Sequence, residues 1–286
     1  VIFVCQTFTL GSSFCCLALW TIQKSTALRE SFGILCKIQM LTDLTLLSVT
    51  SAYCLIPAEY APRDGSFTSY AVFYIAEISY HYSGAMHDLF AINRFVYIVF
   101  PAMQQSWREA TPKILVICAI ITAFHTILMT LMDVNLYWTY DRETFIWHMT
   151  DTEWTEFYGK YFEVYWSTVE IILIVALDSV IFGFIFFRKS KVVENRIGSR
   201  RYLFRLLQIQ SFCQCIPTTT VNIIYFFIFP SISSPNLQTA LSSIWIVTNI
   251  LDAFVIILFH FPQALAYTRK NRNVSVATLA TGSTEL

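Results

Sequence analysis

Apolar residues run in seven long blocks, near 1–23, 34–57, 69–100, 113–134, 165–187, 202–229 and 237–260, separated by polar stretches. Each block reaches the roughly 17–25 residues a helix needs to cross a bilayer. The pattern predicts an all-α membrane protein, a seven-transmembrane helix bundle within 1–262, followed by a polar tail from 263 to 286. The third and sixth blocks exceed the membrane thickness and are expected to tilt or protrude. The first block has neither a basic n-region nor a small-residue cleavage site, so it reads as a span rather than a signal peptide. The chain opens on Val1, and further residues are expected to precede it.

Only the connection 135–164 is long. Its stretches Tyr137-Trp138-Thr139-Tyr140 and Thr144-Phe145-Ile146-Trp147 are β-prone, with Asp141-Arg142-Glu143 between them as a three-residue turn. They suit either a hairpin lid over the bundle or an interfacial aromatic belt.

Composition agrees with the pattern. Hydrophobic residues make up 56% of the 286 and charged residues 13%, against about 25% charged in soluble domains. That excludes a soluble fold and a disordered chain. The few charges are sorted by side. Sixteen of the nineteen Lys and Arg fall on one side: Lys24, Arg29, Lys37, Arg94, Arg108, Lys113, Arg188, Lys189, Lys191, Arg196, Arg200, Arg201, Arg205, Arg269, Lys270 and Arg272. Only Arg63, Arg142 and Lys160 fall on the other, so the N-terminus is expected outside and the C-terminus in the cytosol. The expected outer side is acidic, with nine carboxylates from Glu59 to Glu163. The basic run Arg188–Arg205 would attract anionic lipid by about 1 kcal/mol per group, and no nucleic-acid partner is expected.

All eight cysteines lie within spans. None forms a CxxC pair, and Cys213 and Cys215 point to different helix faces, so buried thiols rather than metal ligands are expected. The one N-x-[ST] sequon, Asn273-Val274-Ser275, lies in the expected cytosolic tail and is expected to be unmodified.

The third block ends in Ala91-Ile92-Asn93-Arg94-Phe95, with Pro101 halting the helix six residues later. Residues 89–101 resemble the Asp-Arg-Tyr region of rhodopsin-like G-protein-coupled receptors. The Asn-Arg-Phe form is similar to the nematode serpentine chemoreceptors of class x (Srx). Ser31-Phe32-Gly33, Pro57, Gly11 and the run Leu251-Asp252 to Phe259 fit the same resemblance. Cys15, Ala253 and His260 depart from it. Two further departures are the absence of a cysteine pair tying the third span's outer end to the long loop, and Cys215 where a tryptophan is expected two residues before Pro217.

The resemblance implies coupling of a heterotrimeric G protein through Asn93, Arg94, Phe95 and Pro101, with Pro217 as the hinge of the sixth span. Because Asn93 replaces the usual acid, the restraint on Arg94 must come from elsewhere. The implied location is the plasma membrane, in sensory-neuron cilia.

Acids inside spans are costly and point to function by default: Asp43, Glu77, Asp88, Glu170, Asp178 and Asp252. Asp43 and Asp252 lie about 13 and about 12 Å from the inner ends of their spans, and Ser83 about 16 Å above Arg94. In the receptor resemblance these positions face one another, with Thr248 and Asn249 one turn above Asp252. They are expected to form a polar core that holds a sodium ion or shares a proton; two independently hydrogen-bonded acids is the plainer alternative. No other cofactor is expected.

Glu77, about 25 Å above Arg94, and Glu170 are expected to line an outward pocket with Tyr80, His81, Trp166 and Trp245, suited to a small cationic or amine-bearing ligand. The plainer reading is that Glu77 meets a neighbouring helix. His81 and His87 do not share a helix face and read as satisfied core groups rather than metal ligands.

Other classes fit less well. A seven-span transporter or ligand-gated channel would suit Asp178, which lies mid-span, but no internal repeat is found. An intramembrane enzyme would need a motif such as HExxH or GxSxG, and neither occurs. An opsin would need a lysine in the seventh span, which has none.

Overall fold

The computed structural model describes residues 2–25, 28, 30–60, 62, 65–141, 146–188, 198–228, 231, 232, 234, 237, 244, 247–262, 264 and 265. Seven long helices form the bundle. They are α1 (Ile2–Lys24), α2 (Ser31–Leu55), α3 (Phe67–Val99) and α4 (Gln104–Met132), then α5 from 155 to 188, α6 (Gly198–Ile223) and α7 (Val247–Pro262). Among the described residues, 31–55, 101–132 and 155–184 are each long and apolar enough to cross a membrane.

Helix ends follow local chemistry. Gly65, at φ 74°, turns the chain into α3, and Ser66 Oγ then accepts the Ser69 N–H at 3.3 Å as the N-cap. Pro101 stops α3 and opens a single 3₁₀ turn, Pro101–Met103, from which α4 departs. Helix α4 begins well before the apolar block at 113, because the polar stretch from Gln104 to Thr111 is helical though too polar for a span. Helix α5 likewise starts early. It is built as Thr155–Tyr158, a π turn Gly159–Val164, and Tyr165–Arg188. A second π turn, Ile224–Ile228, ends α6.

Two larger cores and a small cluster of Ala91, Ile174 and Cys215, which joins α3, α5 and α6, hold the bundle. The larger joins α1, α2, α3, α4 and α7 through Phe32, Met40, Leu47, Met86, Phe90 and Ile256. The smaller sits beneath the long loop and packs Phe73, Met129, Leu136, Tyr137 and Tyr158. The opposite face of α4 carries Val116, Ile120, Phe124, Ile127 and Leu131, all exposed. Such a stripe would drive association in water and suits contact with lipid chains.

The long loop forms an antiparallel hairpin, β1 (Trp138–Asp141) with β2 (Ile146–Met149), paired Trp138 with Met149 and Tyr140 with Trp147. Pairing of Asp141 with Ile146 leaves four residues between the strands rather than the expected three, and those four lie outside the described residues. Aromatic packing secures the hairpin. Trp147 lies 5.5 Å from the Tyr53 ring on α2, Tyr137 lies 5.1 Å from Tyr70 on α3, and the Tyr70 hydroxyl donates to the Val134 carbonyl at 2.8 Å. Seven cysteines, from Cys15 to Cys215, are free thiols.

The turn before α2 explains Ser31-Phe32-Gly33. Ser31 Oγ donates to Asn93 Oδ1 at 2.8 Å, and Phe32 packs on Phe90 at 5.5 Å. A Cβ on Gly33 would stand 1.8 Å from the Leu28 carbonyl oxygen. The chain folds so tightly over α2 that only glycine fits. Gly33→Ala is expected to cost about 1–3 kcal/mol, an overpacking penalty, read as a lower unfolding temperature of the detergent-purified protein.

Candidate functional site

Polar side chains thread the bundle from the hairpin to the foot of α3 in four groups. Nearest the hairpin, Glu77 and His81 sit one turn apart on α3, with His81 Nε2 3.1 Å from Glu77 Oε1 and 3.5 Å from Glu163 Oε1 in the α5 π turn. The Tyr158 hydroxyl donates to Glu77 Oε1 at 3.2 Å, and His125 of α4 lies ring to ring with His81 at 4.2 Å. Glu77, His81 and Glu163 are buried. Glu77 thus meets neighbouring helices, yet it also lines a cavity.

That cavity, of about 100 Å³, is bounded by Leu46, Thr50, Phe73, Glu77, Tyr80, Glu163 and Val221, and roofed by Trp138 and Trp147 of the hairpin. A second, of about 50 Å³, shares Leu46, Tyr80 and Val221 with it and continues to His81, His87, Glu170, Thr218, Thr248 and Asn249. Of the expected pocket residues, Glu77, Tyr80, His81 and Glu170 therefore line these two spaces. Trp166 does not: it is 44% exposed on α5, where its indole N–H donates to Glu170 Oε1 one turn on at 2.7 Å. Its role there is to orient Glu170. Gly84 of α3 leaves room for that carboxylate, since a Cβ there would meet Glu170 Oε2 at 3.3 Å. Trp245 lies outside the described residues.

Deeper, Asp43 Oδ1 accepts hydrogen bonds from Gln39 Nε2 at 2.9 Å and Ser83 Oγ at 3.1 Å, and Asp43 Oδ2 has no partner. His87 reaches between α6 and α7, its Nε2 3.0 Å from Thr218 Oγ1 and 3.3 Å from Asp252 Oδ2. Asn249 Nδ2, one turn above, is buried without a partner. Sequence reading missed His87 as a member of this group because its neighbours belong to other helices. It also missed His260, whose Nε2 lies 2.5 Å from Gln210 Oε1 and ties α7 to α6.

At the foot of α3, Arg94 is buried. Its Nη2 and Nε donate to Asp178 Oδ1 on α5 at 2.7 and 3.1 Å, and Nη1 lies 3.6 Å from Cys215 Sγ on α6. The missing restraint on Arg94 is therefore Asp178. The residue that best suited a transporter is occupied by the arginine. Cys215 replaces the expected tryptophan and contacts the guanidinium directly.

Asn93 serves as a junction between helices. It is buried, and its Oδ1 accepts from Ser31 Oγ and from Trp107 Nε1, both at 2.8 Å, joining α3 to α2 and α4. Phe95 is half-buried, with its ring 5.5 Å from Phe100, and Pro101 is exposed at the turn. Pro217 lies within α6, two residues above Cys215. The whole basic run Arg188–Arg205 lies in residues whose side chains are not described.

A seven-helix bundle with a roofed cavity at one end and a buried arginine at the other defines a membrane receptor. The sequence model of the serpentine type 7TM GPCR chemoreceptors, Srx, matches residues 6–260, and the chain belongs to that nematode family. No curated protein matches it.

The Asn93 junction makes a direct prediction. Asn93→Leu leaves the Ser31 hydroxyl and the Trp107 N–H without their acceptor, which costs about 1–3 kcal/mol for each buried group. Asn93→Asp keeps the acceptor. Thermal unfolding in detergent is expected to show a clear loss for the first variant and a smaller one for the second.

Proposed function

We propose that this chain is a ligand-activated chemosensory receptor, with its N-terminus outside, that signals to a heterotrimeric G protein from a sensory-neuron membrane. The observation that carries the reading is the course of α6. Val221 and Thr218 border the cavities, while Cys215, one turn below Thr218, rests on Arg94. Pro217 lies between these contacts, where the helix lacks a backbone hydrogen bond and bends readily. A small ligand under the hairpin, held by Tyr80 and drawn by the carboxylates of Glu77 and Glu170 when it carries an amine, favours an outward bend of α6. That motion takes Cys215 off Arg94, weakens the pair with Asp178, and opens a cleft for a G-protein helix beside Arg94, Phe95 and Pro101. Ligand and G protein then strengthen each other's binding by the same factor.

The polar core sets the balance between the two states. His87 stands 3.3 Å from Asp252, so a proton on its imidazole does the work of sodium beside that carboxylate. Removing the imidazole leaves carboxylates that sodium can serve. Ligand potency is expected to become sodium-dependent in His87→Ala and to lose that dependence when Asp252→Asn is added. Potency indifferent to sodium throughout would remove the cation from the reading.

The test of the whole is a reporter cell challenged with a panel of odorants and small metabolites. Arg94→Ala is expected to abolish G-protein output at equal surface level. Asp178→Asn is expected to raise ligand-independent output severalfold, because breaking a buried pair costs the resting state about 3–5 kcal/mol. A response undiminished by Arg94→Ala, or an ion current without G protein, would favour a channel instead.

A further inference from the structure

The groups beside the hairpin-end cavity have a second chemistry that the receptor reading does not use. Glu77 and His81 on α3 and His125 on α4 each offer one ligand atom, and these atoms all lie within 4.8 Å of one another. A fourth donor, Glu163, reaches in from the α5 π turn, with Oε1 3.5 Å from His81 Nε2. Single-turn π segments inside α-helices occur often at functional sites, where the extra residue re-aims a side chain.

Hydrogen bonding within the cluster does not account for it. One proton on His81 serves two carboxylates, and Glu163 Oε1, buried with His81 Nε2 at 3.5 Å, accepts no hydrogen bond. His125 has only long contacts, 3.4 and 3.5 Å, to the Tyr158 hydroxyl. Two carboxylates in a buried site are costly without compensating positive charge.

From this geometry we infer a divalent transition-metal site of the zinc type, formed by Glu77, His81, His125 and Glu163. Two imidazoles and two carboxylates from three helices match the nitrogen and oxygen donors that zinc takes in four-coordinate sites. Imidazole donors favour zinc and its neighbours over magnesium or calcium. A divalent ion offsets both carboxylates at once. Glu77 and Glu163 also line the cavity, so the ion is reached from beneath the hairpin. Tyr158, donating to Glu77, orients that ligand as outer hydrogen bonds do around metals. The ion would pin α3, α4 and α5 together at the hairpin end, whether or not the receptor couples to a G protein.

Cobalt(II) is the probe, because tetrahedral cobalt absorbs strongly in the visible. The full chain, purified in detergent and stripped with a chelator, is titrated with Co2+ and then with Zn2+. The expected result is one equivalent of tetrahedral cobalt, displaced by zinc, and an unfolding temperature that zinc raises. His125→Gln and Glu163→Gln are each expected to weaken cobalt binding by at least about tenfold, as loss of metal-supporting groups does. His148→Ala, on the exposed hairpin, is expected to change nothing. Folding of each variant is checked by its cooperative thermal transition. The inference is overturned if folded wild type gives no cobalt band, or if the band survives both substitutions undiminished. Either result would leave the cluster as a proton-bridged network.

Discussion

Charge inside a bilayer has no water to answer it, and in this bundle most of the inward ionisable groups are met by a side chain from the protein, Asp88, whose Oδ1 is buried without a hydrogen bond, being the exception. Arg94 is met by Asp178 across α3 and α5, Asp252 by His87 across α7 and α3, Glu77 and Glu163 by His81, Asp43 by Gln39 and Ser83, and Glu170 by Trp166. Several of these pairings cross between helices. The packing of the helices is thereby tied to the placement of the polar groups. A change of tilt that suits the apolar surfaces also moves donors relative to acceptors.

The family signatures gain a physical basis in the same terms. Ser-Phe-Gly at the start of α2 and Asn-Arg-Phe at the end of α3 are far apart in sequence but form one junction, through Ser31 and Asn93, with Trp107 of α4 as third member. The next residue, Arg94, points the other way, to α5 and α6. A two-residue motif on one helix thus divides its work between opposite faces. Asn93 fastens α3 to α2 and α4, while Arg94 meets α5 and α6, the helix that carries Pro217.

Hydropathy made the seven-helix class and the apolar blocks legible, because burial in lipid leaves a period-free run that no other class shares. The inward acids were legible as well, since an acid within such a run is conspicuous. Their partners were not. Asp178 was visible, but nothing in its neighbourhood points to a residue more than eighty positions away. His81 and His87 were compared with each other along one helix, whereas His125, Thr218 and Asp252 come to them from other helices. Hairpin register also escaped: alternation of aromatic residues marks strands but leaves the turn length free by a residue. The early starts of α4 and α5 were hidden because hydropathy measures contact with lipid, and the first turns of both are polar.

The place of the acid that answers Arg94 has a mechanical consequence. An acid adjacent in sequence would keep its distance from the arginine fixed by the geometry of a single helix. Here the two partners ride on separate helices, so their separation follows the width of the bundle. Lateral squeezing or thinning of the surrounding membrane acts directly on that separation. The integrity of this buried pair thus reports on how closely α3 and α5 are held together.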